Sequence, residues 1–255
     1  MRGDTDIAAL AAVLADPGRA RMLAALGDGR ALPASVLADE AGVAASTASE
    51  HLRKLTSAGL VSAERHGRHR YFRLAGPHIG DLLEAMARVA PAAPVRSLRE
   101  GTRAHAIREA RTCYDHLAGK LGTDLFTALL DRGVIVGGDG LFDPERARED
   151  RLSSPGWDVE YRLGDTGPLE ELGIELPDGR RPLIRYCIDW SEQRHHLGGA
   201  LGAAIANRFF DLKWIKRAKG TRAVHVTPAG AGGLKDLLDY GDGVAAGHRA
   251  ARAHV

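Results

Sequence analysis

The sequence predicts a mainly α-helical chain with small β wings: an N-terminal winged helix-turn-helix, then a C-terminal tandem repeat of degenerate winged-helix-like units. Three observations carry that prediction. Apolar residues recur at helical spacing over residues 6–60, in runs punctuated by Asp16-Pro17, Gly27-Asp28-Gly29 and Gly42. Two short β-type runs then flank the tight-turn sequence His66-Gly67-Arg68-His69. Past residue 110 the chain echoes itself at an offset of 74 residues and then of 80.

The first helix is read from Ile7, Leu10, Ala11 and Leu14, and the second from Met22, Leu23 and Leu26, with Pro17 suited to its first turn. A short third helix over residues 33–40 puts Val36, Leu37 and Ala41 on one face and closes at Gly42. Ser46 or Thr47 is expected to cap a fourth helix, because Ser46 and Glu50 bracket hydroxyls and a carboxylate near capping-box spacing. Leu52, Leu55 and Leu60 form its buried stripe. Strands are expected over residues 60–65 and 70–74, and a fifth amphipathic helix over 78–89 through Ile79, Leu82, Leu83 and Met86. The stretch Ala90-Pro91-Ala92-Ala93-Pro94-Val95 reads as a stiff linker.

In the second half, Arg111-Thr112-Cys113-Tyr114-Asp115 is echoed by Arg185-Tyr186-Cys187-Ile188-Asp189, and His116-Leu117-Ala118-Gly119 by His196-Leu197-Gly198-Gly199. The second copy carries six extra residues, 190–195, after its Asp. Each copy is expected to run helix, turn, hairpin, helix. Residues 137–158, polar and Gly-rich, read as an inserted loop. The expected division is therefore 1–90 for DNA binding and dimerisation, 91–110 as linker, 111–243 as repeat domain (copies 111–176 and 185–243) and 244–255 as tail.

Composition sets the class. Hydrophobic residues make up 44% and charged residues 27% of 255, an ordinary globular balance. A net charge of +2 is too small for a chain that coats nucleic acid indiscriminately, though not for a local basic face. No apolar run approaches the ~18 residues a bilayer span needs, and Asp4 and Asp6 sit where a signal peptide would carry a cationic start. Two cysteines cannot form a disulfide framework. A cytoplasmic protein without a membrane partner is expected.

The basic face is local. From Ala44 to Ala75, Arg53, Lys54, Arg65, Arg68, Arg70 and Arg73 stand against only Glu50 and Glu64. Short polar and basic side chains on the first turns of a recognition helix reach base edges, and cations on it and on the wing reach phosphates. The candidate DNA contacts are thus Ser46, Thr47, Ser49, His51, Arg53 and Lys54 on the helix, and His66, Arg68, His69 and Arg70 on the wing. The bland alternative, a solvated helix face, does not account for a basic wing tip as well.

These residues resemble a known family. Asp16-Pro17-Gly18-Arg19-Ala20-Arg21-Met22-Leu23, Leu37-Ala38-Asp39-Glu40-Ala41-Gly42-Val43, Ser46 to Leu55, and Gly67-Arg68-His69-Arg70-Tyr71-Phe72-Arg73-Leu74 are similar to the ArsR/SmtB family of bacterial repressors, over about residues 5–90. The resemblance implies a homodimer that leaves its operator when an inducer binds, commonly a metal or metalloid ion. The family's inducer positions do not carry over. Arg30-Ala31-Leu32-Pro33-Ala34 replaces the cysteines before the third helix, His78 and Asp81 lack a second downstream His, and residues 42–55 hold no cysteine. The second half extends beyond the family's shared core, where it resembles a longer subgroup with Cys-x-Asp-His-Leu-Ala-Gly segments.

That leaves Cys113 and Cys187, at equivalent positions of the repeat. Paired about a pseudo-twofold, and with His116, His195 and His196 close in sequence, they could form a soft- or transition-metal site or a reversible disulfide; Cys113, Cys187, His116 and His196 are the candidate sensor. Equally, each Cys could be a small apolar residue at a helix start. Asp115 and Asp189 are expected as N-caps, His195-His196 as a helix-surface pair, and Trp157, Trp190 and Trp214 as packing or as the lining of a small-molecule pocket. No phosphate loop, nucleophile elbow or dinucleotide fingerprint appears, so no catalytic residue is assigned. The expected function is sequence-specific transcriptional regulation by a repressor of duplex operator DNA. The rival is an enzyme or small-molecule-binding C-terminal domain that the winged helix merely addresses to DNA, and a bare oligomerisation scaffold is the third reading.

Overall fold

The computed structural model describes residues 5–66, 69–91, 94, 97–142, 160–218 and 221–238; within these the side chains of His66, His69, Arg99 and Leu238 are not described. The chain forms two compact units, Met1–Met86 with Lys219–Arg222, and Ala87–Ala218 with Ala223–Val255.

In the first unit, α1 (Ile7–Leu14) and α2 (Pro17–Ala25) each start on an aspartate, Asp6 accepting from the Ala9 amide at 2.8 Å and Asp16 from the Arg19 amide at 2.9 Å. α3 (Ala34–Ala41) ends at Gly42, whose φ of +67° closes the helix in the left-handed conformation that glycine adopts at no steric cost. α4 (Ala45–Ser57) begins one residue before the expected caps: Ala44 is its N-cap, with no side-chain hydrogen bond, so Ser46 and Thr47 lie inside the first turn. The wing is three-stranded rather than two-stranded. β1 (Leu32–Pro33), too short to signal itself, pairs with β3 (His69–Leu74), which pairs with β2 (Val61–His66). α5 (Pro77–Val89) follows. Met22, Leu23, Leu26, Leu37, Leu52, Leu55, Phe72 and Leu74 fill the core, so the helical stripe and the alternating wing face close on one apolar centre.

In the second unit, residues 91–110, expected as linker, contain α6 (Leu98–Glu109), capped by Ser97. Each half then opens with a hairpin, where the sequence suggested a helix. β4 (Arg111–Cys113) and β5 (His116–Ala118) precede α7 (Gly119–Asp131), β6 (Ile135–Val136), β7 (Arg162–Leu163) and α8 (Gly167–Glu171). β8 (Arg185–Ile188) and β9 (His195–Gly198) precede α9 (Gly199–Asp211), β10 (Ile215–Arg217), β11 (Val224–Val226) and α10 (Pro228–Leu238). Strands of three or four residues carry too little alternation to be told from a helix start. The loop expected over 137–158 is described only to Phe142, and Trp157 and residues 244–255 lie outside the described residues.

α7 packs on β9, and α9 on β5, so each helix covers the other half's hairpin. Two glycines permit it. A Cβ on Gly122 would lie 2.5 Å from the Leu117 carbonyl oxygen and 3.7 Å from the His196 Cβ; one on Gly202 would lie 2.5 Å from the Leu197 carbonyl oxygen and 3.2 Å from the His116 Cβ. Leu117, Leu125, Leu129, Leu197, Leu201, Ile205 and Phe209 share one core, although Leu117 and Leu197 reach it from strands.

Candidate metal centre and nucleic-acid interface

Antiparallel pairing sets directly opposed side chains on the same face, within contact distance. In β4–β5 the opposed pair is Cys113 with His116; in β8–β9 it is Cys187 with His196. The crossed packing turns these two pairs toward one another. One donor atom from each of the four residues lies within 4.8 Å of all the others, and the two imidazole centroids are 5.2 Å apart. Cys113, His116 and His196 are buried and Cys187 is half-buried.

Behind each imidazole stands the aspartate of its own hairpin. Nδ1 of His116 is 3.3 Å from Asp115 Oδ1, and Nδ1 of His196 is 3.5 Å from Asp189 Oδ2. The Nε2 atoms of both rings, and the Nδ1 of His196, are buried and make no hydrogen bond. Burial would push the His116 imidazole down, but the Cys113 sulfur and Asp115 outweigh it and raise its pKa to about 9.

The two aspartates are not N-caps; α7 and α9 start on Ala118 and Gly198. Asp115 occupies a two-residue hairpin turn and accepts from Arg181 Nη2 at 3.0 Å. Burial raises its pKa, but His116 and Arg181 outweigh that and bring it to about 2. Asp189 is fully buried. Its Oδ2 accepts from Arg111 Nη2 at 2.9 Å and from the Gly119 amide at 2.7 Å, while Oδ1 accepts from the Ser191 amide at 2.9 Å and hydroxyl at 2.8 Å. Burial pushes this carboxyl up, but Arg111, His196 and the Gly119 amide together hold it well below the usual carboxylate range. Arg111 itself is fully buried, with its guanidinium 4.7 Å from the Trp190 ring centroid.

The His195-His196 pair is likewise on a strand, not a helix surface, and alternation sends the two rings to opposite faces. His196 joins the cluster, while His195 Nδ1 lies 2.8 Å from the Tyr161 hydroxyl, which accepts from the Gly140 amide. Trp214 packs on Phe209 at 5.3 Å.

In the first unit, Ser46, Thr47, Ser49, Arg53 and Lys54 are exposed along α4. Arg53 is held by Glu50 at 2.9 and 2.7 Å and Lys54 lies 3.6 Å from Glu50; solvent screens exposed pairs of this kind, and they leave both cations able to reach a phosphate. His51 differs. It turns inward, 3.6 Å from Asp16, with only 12% of its side chain exposed, so it positions the start of α2 rather than facing outward. On the wing, Arg65 and Arg70 are directly opposed across β2 and β3, an arrangement of like charges that suits an anionic partner. Arg68 and the side chains of His66 and His69 lie outside the described residues.

Residues 14–62 match the helix-turn-helix domain family. Over 230 residues, 88% of this chain and 93% of the relative, the sequence is 39% identical to YdfF of Bacillus subtilis, described as an uncharacterized HTH-type transcriptional regulator. The chain belongs to the HTH-type transcriptional regulators. The regulator is also 38% identical over 86 residues to CmtR of Mycobacterium tuberculosis, covering 34% of this chain and 72% of CmtR. The solved homodimeric winged helix-turn-helix domain of Mb0332 from Mycobacterium bovis, a possible ArsR-family regulator, is 32% identical, covers 35% of this chain and 88% of its own, and superposes with a TM-score of 0.30. The likeness to YdfF runs through the half that carries the Cys–His cluster, whereas the CmtR and Mb0332 likenesses span about a third of the regulator.

The structure therefore brings together all four candidate sensor residues and exposes the polar and basic face of α4. Sequence reasoning missed Arg111, which precedes Cys113 by two residues and has its counterpart in Arg185, and it missed the support that both aspartates give to the imidazoles. The signal for the second was present: Asp-His adjacency at Asp115-His116 and a second Cys-x-Asp at Cys187 and Asp189.

Proposed function

We propose that this regulator is a homodimeric repressor of duplex operator DNA, and that its second unit is the sensor, where an inducer acting at Cys113, His116, Cys187 and His196 releases it from the operator. A metal, a metalloid or a thiol-oxidising agent fits that set of side chains. The observation that carries the reading is the convergence of two Cys–His pairs, from hairpins far apart in the chain, in a protein whose other half carries a helix-turn-helix. Residues 111–176 and 185–243 are read as two copies of one unit. The shared order of hairpin, helix, hairpin, helix supports this, as do the matched Cys–His registers and the reciprocal glycines.

Ser46, Thr47 and Ser49 are assigned to base edges, and Arg53, Lys54 and Arg70 to phosphates. Dimerisation follows from the two-fold geometry that paired half-sites require. Apolar residues on α1 and α5 suit it: Ile7 is 74% and Met86 40% exposed, with Leu10, Leu14, Leu82 and Leu83 half-buried beside them. Ile79, on the same helix α5, belongs instead to the core at 7% exposure.

The test is operator binding against salt concentration. The Arg53→Ala, Lys54→Ala, Arg70→Ala variant is expected to flatten the log–log slope by about one unit for each phosphate it no longer neutralises. An unchanged slope overturns the DNA assignment. Operator affinity that stays constant with every metal, metalloid and oxidant tried overturns the sensor assignment.

A further inference from the structure

We infer that Cys113, His116, Cys187 and His196 form a closed, four-ligand tetrahedral site for one divalent d10 ion of the zinc class, bound through two thiolates and two Nε2 atoms. This rests on the sensor reading above only in location. The metal site stands on its own geometry.

Four features lead to it. The donor atoms are nearly in place: tetrahedral Zn–S and Zn–N bonds of ~2.3 and ~2.0 Å imply donor separations of about 3.3–3.8 Å, so a cluster already within 4.8 Å must contract by roughly 1 Å. Both Nε2 atoms are buried and make no hydrogen bond, a cost that folding normally avoids and that a coordinating ion removes. Each Nδ1 faces a carboxylate: His116 is hydrogen-bonded to Asp115, the contact that fixes ring orientation and tautomer in metal-bound histidines, and His196 lies 3.5 Å from Asp189 without yet making that bond. Finally, charge balances. As the ion binds, any proton still held on either sulfur or on a ligating imidazole nitrogen passes to solvent, so two thiolates and two neutral imidazoles surround a divalent cation; Asp189 is already neutralised by Arg111, and the buried site carries no net charge.

The same features argue against the alternatives. A disulfide between Cys113 and Cys187 would consume two sulfurs and leave both buried Nε2 atoms without partners. Hard cations such as Mg2+ and Ca2+ select oxygen donors, and this site offers sulfur and nitrogen. Four protein ligands also leave no open position, which matches a holding or sensing site and not a hydrolytic one.

The experiment is titration of the reduced, metal-free, full-length protein with Co2+ as the spectroscopic probe, under exclusion of oxygen. One Co2+ per chain is expected, with ligand-field absorption of tetrahedral intensity, a thiolate-to-metal charge-transfer band, and displacement by Zn2+. Cys187→Ser, at the half-buried ligand, should abolish the charge-transfer contribution of that sulfur and weaken binding by more than ~100-fold. Asp115→Asn removes only the partly exposed carboxylate behind His116. It should keep the wild-type circular dichroism spectrum and weaken binding by ~10–100-fold.

An octahedral spectrum, no uptake, or a Cys187→Ser variant that binds Co2+ as wild type does would each overturn the site. So would a wild-type protein that ignores Co2+ but forms a Cys113–Cys187 disulfide with diamide; if that oxidation released the operator, the sensor reading would survive without the metal. Conversely, tetrahedral Co2+ binding with operator affinity unaltered by Co2+ and Zn2+ supports the metal site and removes these ions as inducers.

Discussion

In the β4–β5 hairpin, Cys113 and His116 flank a two-residue turn whose Asp115 stays partly in solvent and pairs with Arg181. In the β8–β9 hairpin the Cys–Asp spacing is kept but six further residues separate Asp189 from His196, and Asp189 is sealed inside with Arg111, Ser191 and the Gly119 amide. The two halves thus offer identical ligands on unequal frames. One carboxylate only supports its imidazole. The other also joins both halves, since Arg111 and Gly119 come from the first and Asp189 from the second. Two hairpins with the same donor residues can match in chemistry while only one of them carries the structural work.

Substitutions that treat the halves alike test this contrast, and all three tryptophans lie in the second unit, so their fluorescence during denaturation reports on it. The largest effect is expected from Asp189→Asn. It leaves the Arg111 guanidinium buried without its counter-charge and should cost about 3–5 kcal/mol, seen as a lower urea midpoint. Next come the glycines. Gly202→Ala and Gly122→Ala each force a methyl against a carbonyl oxygen 2.5 Å away, for about 1–3 kcal/mol, with Gly202→Ala the worse because the His116 Cβ is closer. If Gly122→Ala proved the more harmful, the asymmetry assigned to the two hairpins would be reversed. The smallest is Asp115→Asn, which breaks a partly exposed pair with Arg181 and should change stability by no more than ~1 kcal/mol. Equal losses from Asp115→Asn and Asp189→Asn would break the comparison.

Much of the first unit was legible because its signals are local. Asp16-Pro17, Gly42 and the pair Leu52 and Leu55 fix helix ends and faces within a few residues of themselves, while Leu60, expected on that stripe, is buried from the turn beyond the helix end at Ser57. The failures there were of the same scale: β1 is two residues long and pairs only across the fold, and His51, spaced as an outward residue, is drawn in by Asp16. In the second unit, the strands holding the cysteines are three and four residues long, so the adjoining helix pattern masked them.

The sequence by itself determined that the chain carries a helix-turn-helix with a basic face, and that Cys113 and Cys187 each stand two residues before an aspartate, because periodicity and recurring motifs are written along the chain. The tertiary structure decided what those residues form. Only the crossing of α7 over β9 and α9 over β5 brings the two Cys–His pairs within 4.8 Å, and only strand alternation selects His196 over His195. Only burial distinguishes Asp189 from Asp115. Each of these depends on which surfaces exclude water together, and that is set by packing between residues some 70 positions apart.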